Sequence, residues 1–354
     1  MDNTIPKIVL FGHTGTEHLD KNNLKDKDCP TYDFDRVINN QYMPWNDGDH
    51  HRKFIKAKGK YISKLDEDTY SGDIVFWGEW EPATSFNVIQ NKNLKSAKSE
   101  VEEIRNSNKP HYLHTVEYLK KESGEYLQNT DPYVFGDNFF YTNCKQYRKV
   151  MKNLNKGDIV LFGTTGRVTN ENKYMELDTV FVVDEKVTVI NIKDNPDFST
   201  FSDKKYECFK NVVLKKIFER KNKRTGNFYV QNDEKTFIIY KGATIDNPIN
   251  GMYSFFPCKK YENDLTNCSF GKVLITNEQY GEYLYVSLQN INTPTDKMKD
   301  KTPFLQCYKN FTGINDNEVA IKDFWLTVVQ TVFDQGCYLG VYADEPKIIN
   351  EEKM

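Results

Sequence analysis

TDPYVFGDNFFYTNCKQYRKVMKNLNKGDIVLFGTTGRVTNENKYMELDTVFVVD, residues Thr130 to Asp184, is the stretch on which the reading of this chain turns. Its centre, Gly157-Asp158-Ile159-Val160-Leu161-Phe162-Gly163, reads as a turn feeding a buried strand: Gly and Asp suit turns, and a short apolar run suits a strand covered on both faces. A near copy, Gly72-Asp73-Ile74-Val75-Phe76-Trp77-Gly78, stands earlier. Polar loops follow both copies. Downstream, DTVFVVDEKVTVINI reads as two adjacent strands joined at Asp184-Glu185-Lys186.

Working outward, KIVLF at Lys7–Phe11 is a short buried strand. It ends in Gly12-His13-Thr14-Gly15-Thr16, a tight loop of the kind that often holds ligands at strand ends. No phosphate-cradling or dinucleotide glycine motif follows. LKSAKSEVEEIRNS carries Leu94, Ala97, Val101 and Ile104 at helical spacing, and CFKNVVLKKIFER (208–220) also fits a helix. TFIIYKG (236–242), GMYSFFPC (251–258), GKVLIT (271–276), YLYVSL (283–288) and YLGVY read as strands. Phe324, Val328, Val329, Val332 and Phe333 mark a helix stopped by Gly336. The expectation is an α+β, β-rich chain in two parts. Residues 1–200 form an N-terminal domain with the ligand loops, and 201–354 a β-rich C-terminal domain with a late amphipathic helix.

The chain has 354 residues, 14% of them aromatic, which tilts the prior toward strands. A net charge of −3 and a pI of about 6.1 exclude a protein that coats DNA by charge alone, since that needs many Lys/Arg–phosphate contacts. Seven scattered Cys without a C-x-x-C pair, no secretory leader and no apolar run of about 18 residues together lead to an expected cytoplasmic location without a membrane span. No cofactor is expected, and the His/Cys spacings do not match a structural zinc site.

The candidate site is drawn from loops and strand ends. His13, His50, Glu79, Glu81 and Asp131 supply carboxylate and imidazole groups able to activate water. Glu79 and Glu81 share a face if the strand stays extended, and shared facing raises one carboxyl pKa. Trp45 and Trp77 supply rings for a pocket wall. Asn143 and Gln146 carry amides able to read a base edge, beside aromatics able to stack a base, although core packing is the simpler role for most of those rings.

The run polar–Gly-Asp-Ile-Val–apolar, a gap, then a strand like DTVFVV, resembles PUA-like β-barrels of the ASCH and EVE groups over about 55 residues, Thr130 to Asp184. In such domains a Gly-Asp turn starts a central barrel strand. The resemblance implies binding of RNA or of modified DNA bases, with Phe140, Tyr141, Asn143, Thr164 and Asp178 near the ligand. The functional expectation is recognition of a nucleotide or nucleic acid through a modified or flipped base, as in nucleic-acid modification or phage defence; base flipping lets an acidic protein work with few phosphate contacts. The alternative is a hydrolase or glycosidase-type enzyme acting on a nucleotide or nucleic acid through the carboxylate/His set. A partner-binding protein without a small ligand ranks third.

Overall fold

The computed structural model describes residues 8–12, 52–65, 67–80, 84–88, 112–120, 130–142, 149–167, 173–190, 198–214, 236–262, 273–276, 305–308 and 317–350. Two seven-stranded sheets organise them. The first contains β1 (Ile8–Gly12), β6 (Phe140–Tyr141), β7 (Ile159–Arg167), β8 (Lys173–Ile190), β9 (Thr236–Gly242), β11 (Val273–Thr276) and β12 (Leu305–Tyr308). The second contains β2 (Arg52–Ile62), β3 (Tyr70–Glu79), β4 (Thr84–Val88), β5 (Tyr112–Lys120), β10 (Phe256–Lys260), β13 (Tyr338–Ala343) and β14 (Lys347–Asn350). Among the described residues the helices are α1 (Lys149–Lys152), α2 (Glu207–Phe209, continued by a π-helical turn to Leu214) and α3 (Asn317–Asp334). No helix of the described residues is long and apolar enough to cross a membrane.

In the second sheet the pairings β2–β3, β3–β10, β10–β13 and β13–β2 are all antiparallel and return to their starting strand, so these four strands close into a small barrel. A ring this narrow is filled by few side chains. Phe76 and Phe256 meet inside it with ring centroids 4.4 Å apart, and Tyr61 stacks on Tyr338 at 5.0 Å and on Tyr70 at 5.7 Å. A register shift in β13 between Gly340 and Tyr342 supplies a bulge of the kind that bends an edge into closure.

One face of the first sheet packs with α3, which also meets Ile62, Leu339 and Val341 of the barrel, and the other face joins the core shared with the barrel. Ile8, Leu10, Ile159, Leu161, Val180 and Val182 face Ile321, Trp325, Val328, Val329 and Val332 of the helix. Val9, Phe11, Val160, Phe162, Phe181 and Val183 face the barrel side. This strict two-residue alternation explains why the apolar runs are continuous: both faces are covered. α3 stops as its sequence demands. Gly336 takes φ +70°, its N–H reaches the Phe333 carbonyl at 2.8 Å, and the Cys337 N–H reaches that of Val332 at 3.0 Å.

The two Gly-Asp copies differ in kind. Gly157 sits at φ +85° in a true turn, where the Asp158 carboxylate accepts from the Asn155 N–H at 2.7 Å. Gly72 and Asp73 lie inside β3, so the first copy is strand and not turn. That first copy builds the closed barrel, whereas the second, on which the family resemblance was drawn, opens β7 of the first sheet. DTVFVVDEKVTVI is one continuous strand, not two: the expected turn at Asp184 is a bulge, with Val183 opposite Gly242 and Glu185 opposite Lys241. Both sheets draw strands from either side of residue 200, since β1 pairs β12, β8 pairs β9, and β2 pairs β13. The helix read over 208–220 is seen as α2 and its π turn through Leu214. The helix expected around Leu94–Ile104 and the YLYVSL strand lie outside the described residues.

An alanine at position 157 must adopt a left-handed backbone that L side chains disfavour, whereas a Cβ at Gly72 meets nothing within 4 Å. Gly157→Ala is therefore expected to lower the unfolding free energy by about 1–2 kcal/mol. Gly72→Ala is expected to leave it unchanged or raise it slightly, and urea titration of the two variants checks the contrast.

Candidate functional site

The strand β8 changes parity at one point. Met175 and Leu177 face the α3 side, as do Val180 and Val182, so one extra residue separates the two pairs. The register places it: Phe162 lies opposite Thr179 and Gly163 opposite Leu177, leaving Asp178 as the inserted residue of a β-bulge. Bulges re-aim side chains, and this one turns a carboxylate into the space between the two sheets.

There it meets Arg52, the first residue of β2. Arg52 Nε donates to Asp178 Oδ2 at 2.5 Å, joining residues 126 apart in the chain. Arg52 is also the register partner of Glu79, the last residue of β3, and its Nη2 lies 3.7 Å from Glu79 Oε2. All three side chains are buried: Arg52 is 0% exposed, Asp178 1% and Glu79 3%. One guanidinium thus serves two carboxylates out of water. Burial pushes the Asp178 carboxyl above the ordinary aspartate range; Arg52 pulls against that push, and the charge on Glu79 adds to it.

On the opposite face of β2, Lys53 is likewise wholly buried. His114 of β5, paired with Ile55, lies on that face and is 2% exposed. Burial, and then the charge of Lys53, holds the His114 imidazole well below its usual value, so it is neutral at physiological pH. Consecutive residues Arg52 and Lys53 therefore carry two buried cations to opposite sides of one strand end.

Of the residues expected at the site, the structure brings Glu79 and Asp178 together. Trp77 is on the same strand end, but its ring packs on Phe54 with centroids 4.7 Å apart. The faces of Phe140 and Tyr141 are taken by protein rings: Phe140 stacks on Phe209 at 4.0 Å and Tyr141 on Tyr240 at 5.8 Å. Asp131 accepts from the Thr142 N–H at 2.8 Å and its hydroxyl at 2.9 Å, which ties the segment before β6 to the strand's end. Thr164 lies on β7 opposite Glu176. His13, Trp45, His50, Glu81, Asn143 and Gln146 lie outside the described residues. Three described strand ends, those of β1, β2 and β3, do converge. Gly12 pairs with Gly163 beside the Asp178 bulge, and Arg52 and Glu79 end β2 and β3 at the same cluster.

Arg52 itself escaped the reading of the sequence, hidden in a polar run. Two signals pointed to it. A lone Asp inside the apolar strand ELDTVFVV needs a partner, because a buried charge is retained only when paired. KAKGKY, Lys56 to Tyr61, alternates and marks β2, and the strand runs back through Phe54 and Ile55 to Arg52.

Comparison with protein-family models, with curated proteins and with solved structures returns no match.

Removing the cation strands two buried carboxylates. Arg52→Met is expected to cost about 3–5 kcal/mol in urea unfolding, with part of the loss recovered when Asp178→Asn is added. The pH dependence has a definite sign. A carboxyl whose folded value lies above its unfolded one holds its proton more tightly in the native state, so it contributes stability below the ordinary aspartate range and loses it as pH rises through the raised value. Relative to Asp178→Asn, the native protein is expected to lose unfolding free energy as pH rises from about 4; parallel pH profiles for the two proteins contradict this.

Proposed function

We propose that this chain recognises a nucleotide or nucleic acid, reading a modified or flipped base at the end of the two sheets where Arg52, Glu79 and Asp178 converge. The observation that carries the reading is that buried trio. Desolvating such charges costs several kcal/mol per ion, and perturbed, buried ionisable groups concentrate at functional sites. The chemistry suits a base edge: a guanidinium matches paired acceptors such as O6 and N7 of guanine, and a carboxylate accepts from exocyclic amino groups. The closed four-stranded barrel is compatible with a PUA-like module, and the cluster lies where one of its strand pairs ends against the first sheet. A role in nucleic-acid modification or in defence against foreign DNA is the biological setting that such base recognition serves.

A second reading, a hydrolase acting on the same class of ligand, draws on one observation. Burial and the neighbouring Glu79 raise the Asp178 carboxyl, while Arg52 lies beside both acids. A buried acid whose carboxyl is raised, set beside a second acid and a cation, is an arrangement that general acid–base catalysis uses.

A thermal-shift series with nucleoside monophosphates, modified nucleosides and short oligonucleotides tests both. Ligand at a hundredfold excess over its dissociation constant adds about 2.7 kcal/mol, or several degrees in Tm. Stabilisation that Glu79→Gln abolishes, without turnover, is the expected result. Product formation lost in Glu79→Gln or Asp178→Asn establishes the enzymatic reading instead. No shift with any member of the series contradicts both.

A further inference from the structure

The four-residue strand β11 lies at an edge of the first sheet: among the described strands it pairs with β8 alone. Val273 and Ile275 are buried in the core shared with α3, whereas Leu274 is half-buried. In an antiparallel ladder the backbone N–H and C=O of alternate residues turn away from the partner strand. At Leu274 that outward pair is met by one side chain. Its N–H donates to Gln335 Oε1 at 2.8 Å, and its carbonyl accepts from Gln335 Nε2 at 2.7 Å. The Gln335 amide thus presents the same acceptor and donor as one residue of an adjoining strand. The end of α3 holds it there: the Gln335 N–H donates to the Thr331 carbonyl at 3.2 Å, and Gly336 turns the chain at φ +70°. Val-Leu-Ile-Thr carries no charge and no proline, the devices by which an exposed edge usually refuses a partner.

We infer that Gln335 guards this edge, its amide closing β11 against strand addition by a second copy of the chain. The occupant follows from the edge itself. An antiparallel pairing centred on Leu274 of two copies exchanges the same two hydrogen bonds that Gln335 makes within one copy, and that pairing is self-complementary, so it closes as a two-fold dimer. A change of rotamer at Gln335 opens the edge and leaves the helix end intact, because the bonds that fix α3 are made by backbone and those to β11 by the side chain. One side-chain torsion thereby separates a closed edge from one able to pair. The inference does not depend on the base-reading role proposed for the Arg52 end.

The test is sedimentation velocity of the full chain over about a hundredfold range of concentration, since association depends on protomer concentration. The native chain is expected to stay at its monomer mass of 41.5 kDa. Gln335→Met keeps the shape and removes the amide, and its mass is expected to rise toward that of a dimer with concentration. Adding Leu274→Pro is expected to restore the monomer: the Leu274 N–H points away from β8, where an edge strand tolerates proline. Gln335→Glu is expected to stay monomeric, because its carboxylate still accepts from the Leu274 N–H and sets a charge on the edge. Amide hydrogen exchange reads the guard without any variant: the Leu274 N–H is expected to be protected in the native chain, and to exchange about tenfold faster in dilute Gln335→Met, as for one hydrogen bond lost. A Gln335→Met chain that is folded and monomeric at every concentration overturns the inference. So does a double variant that still associates, or a Leu274 N–H that exchanges freely in the native chain.

Discussion

One buried guanidinium ties the two sheets together. Arg52 opens β2, pairs across the register with Glu79 at the end of β3, and reaches out of the barrel to Asp178 in the first sheet. Everything near it follows from the need to satisfy that charge out of water. The bulge at Asp178 exists on the one strand long enough to serve both halves of the first sheet, β7 on one edge and β11 and β9 on the other. Without the inserted residue, continued alternation would reverse which side chains of β8 meet α3 and which meet the barrel. The bulge thus does two things at once: it restores the apolar parity on both sides and it delivers a carboxylate to the interior.

The local features of this fold were legible in the sequence where local physics decides them. The turn at Gly157-Asp158 was, because a left-handed glycine and an Asp side chain that bonds its own turn are short-range devices. So were β9, β13 and α3, with the helix ending at Gly336. Barrel closure was not. It depends on β2 meeting β13, and no pattern within either strand encodes its distant partner. Asp184-Glu185-Lys186 looked like a hairpin turn because polar runs usually are. A bulge absorbs Asp184 there, and its carboxylate is met by Lys156 at 2.8 Å.

The candidate site was legible in part and for a similar reason. Glu79 was chosen as one of two acids sharing a strand face and Asp178 from the PUA-like resemblance, and the structure sets both beside Arg52. The rings of Phe140, Tyr141 and Trp77 were chosen for the same stretches, but they fill the core between the sheets. An aromatic-rich strand carries no mark that separates a ring offered to a ligand from one packed on Phe209 or Tyr240. The charged residues were the better guide, since burying them needs a reason and burying a ring does not.

On this account the working end of β2 is where it starts, with the buried charge of Arg52 set between Glu79 and Asp178. The measurement that tests the central claim most directly is the side-chain Nε–H resonance of Arg52 in a nitrogen-15 NMR spectrum, recorded with and without a saturating nucleoside monophosphate. A signal that is shifted and slow to exchange with water in the free protein, and that moves on addition of the nucleotide, is what a buried recognition charge predicts. A signal exchanging as fast as that of a solvent-exposed arginine, or a protected one indifferent to every nucleotide, contradicts it.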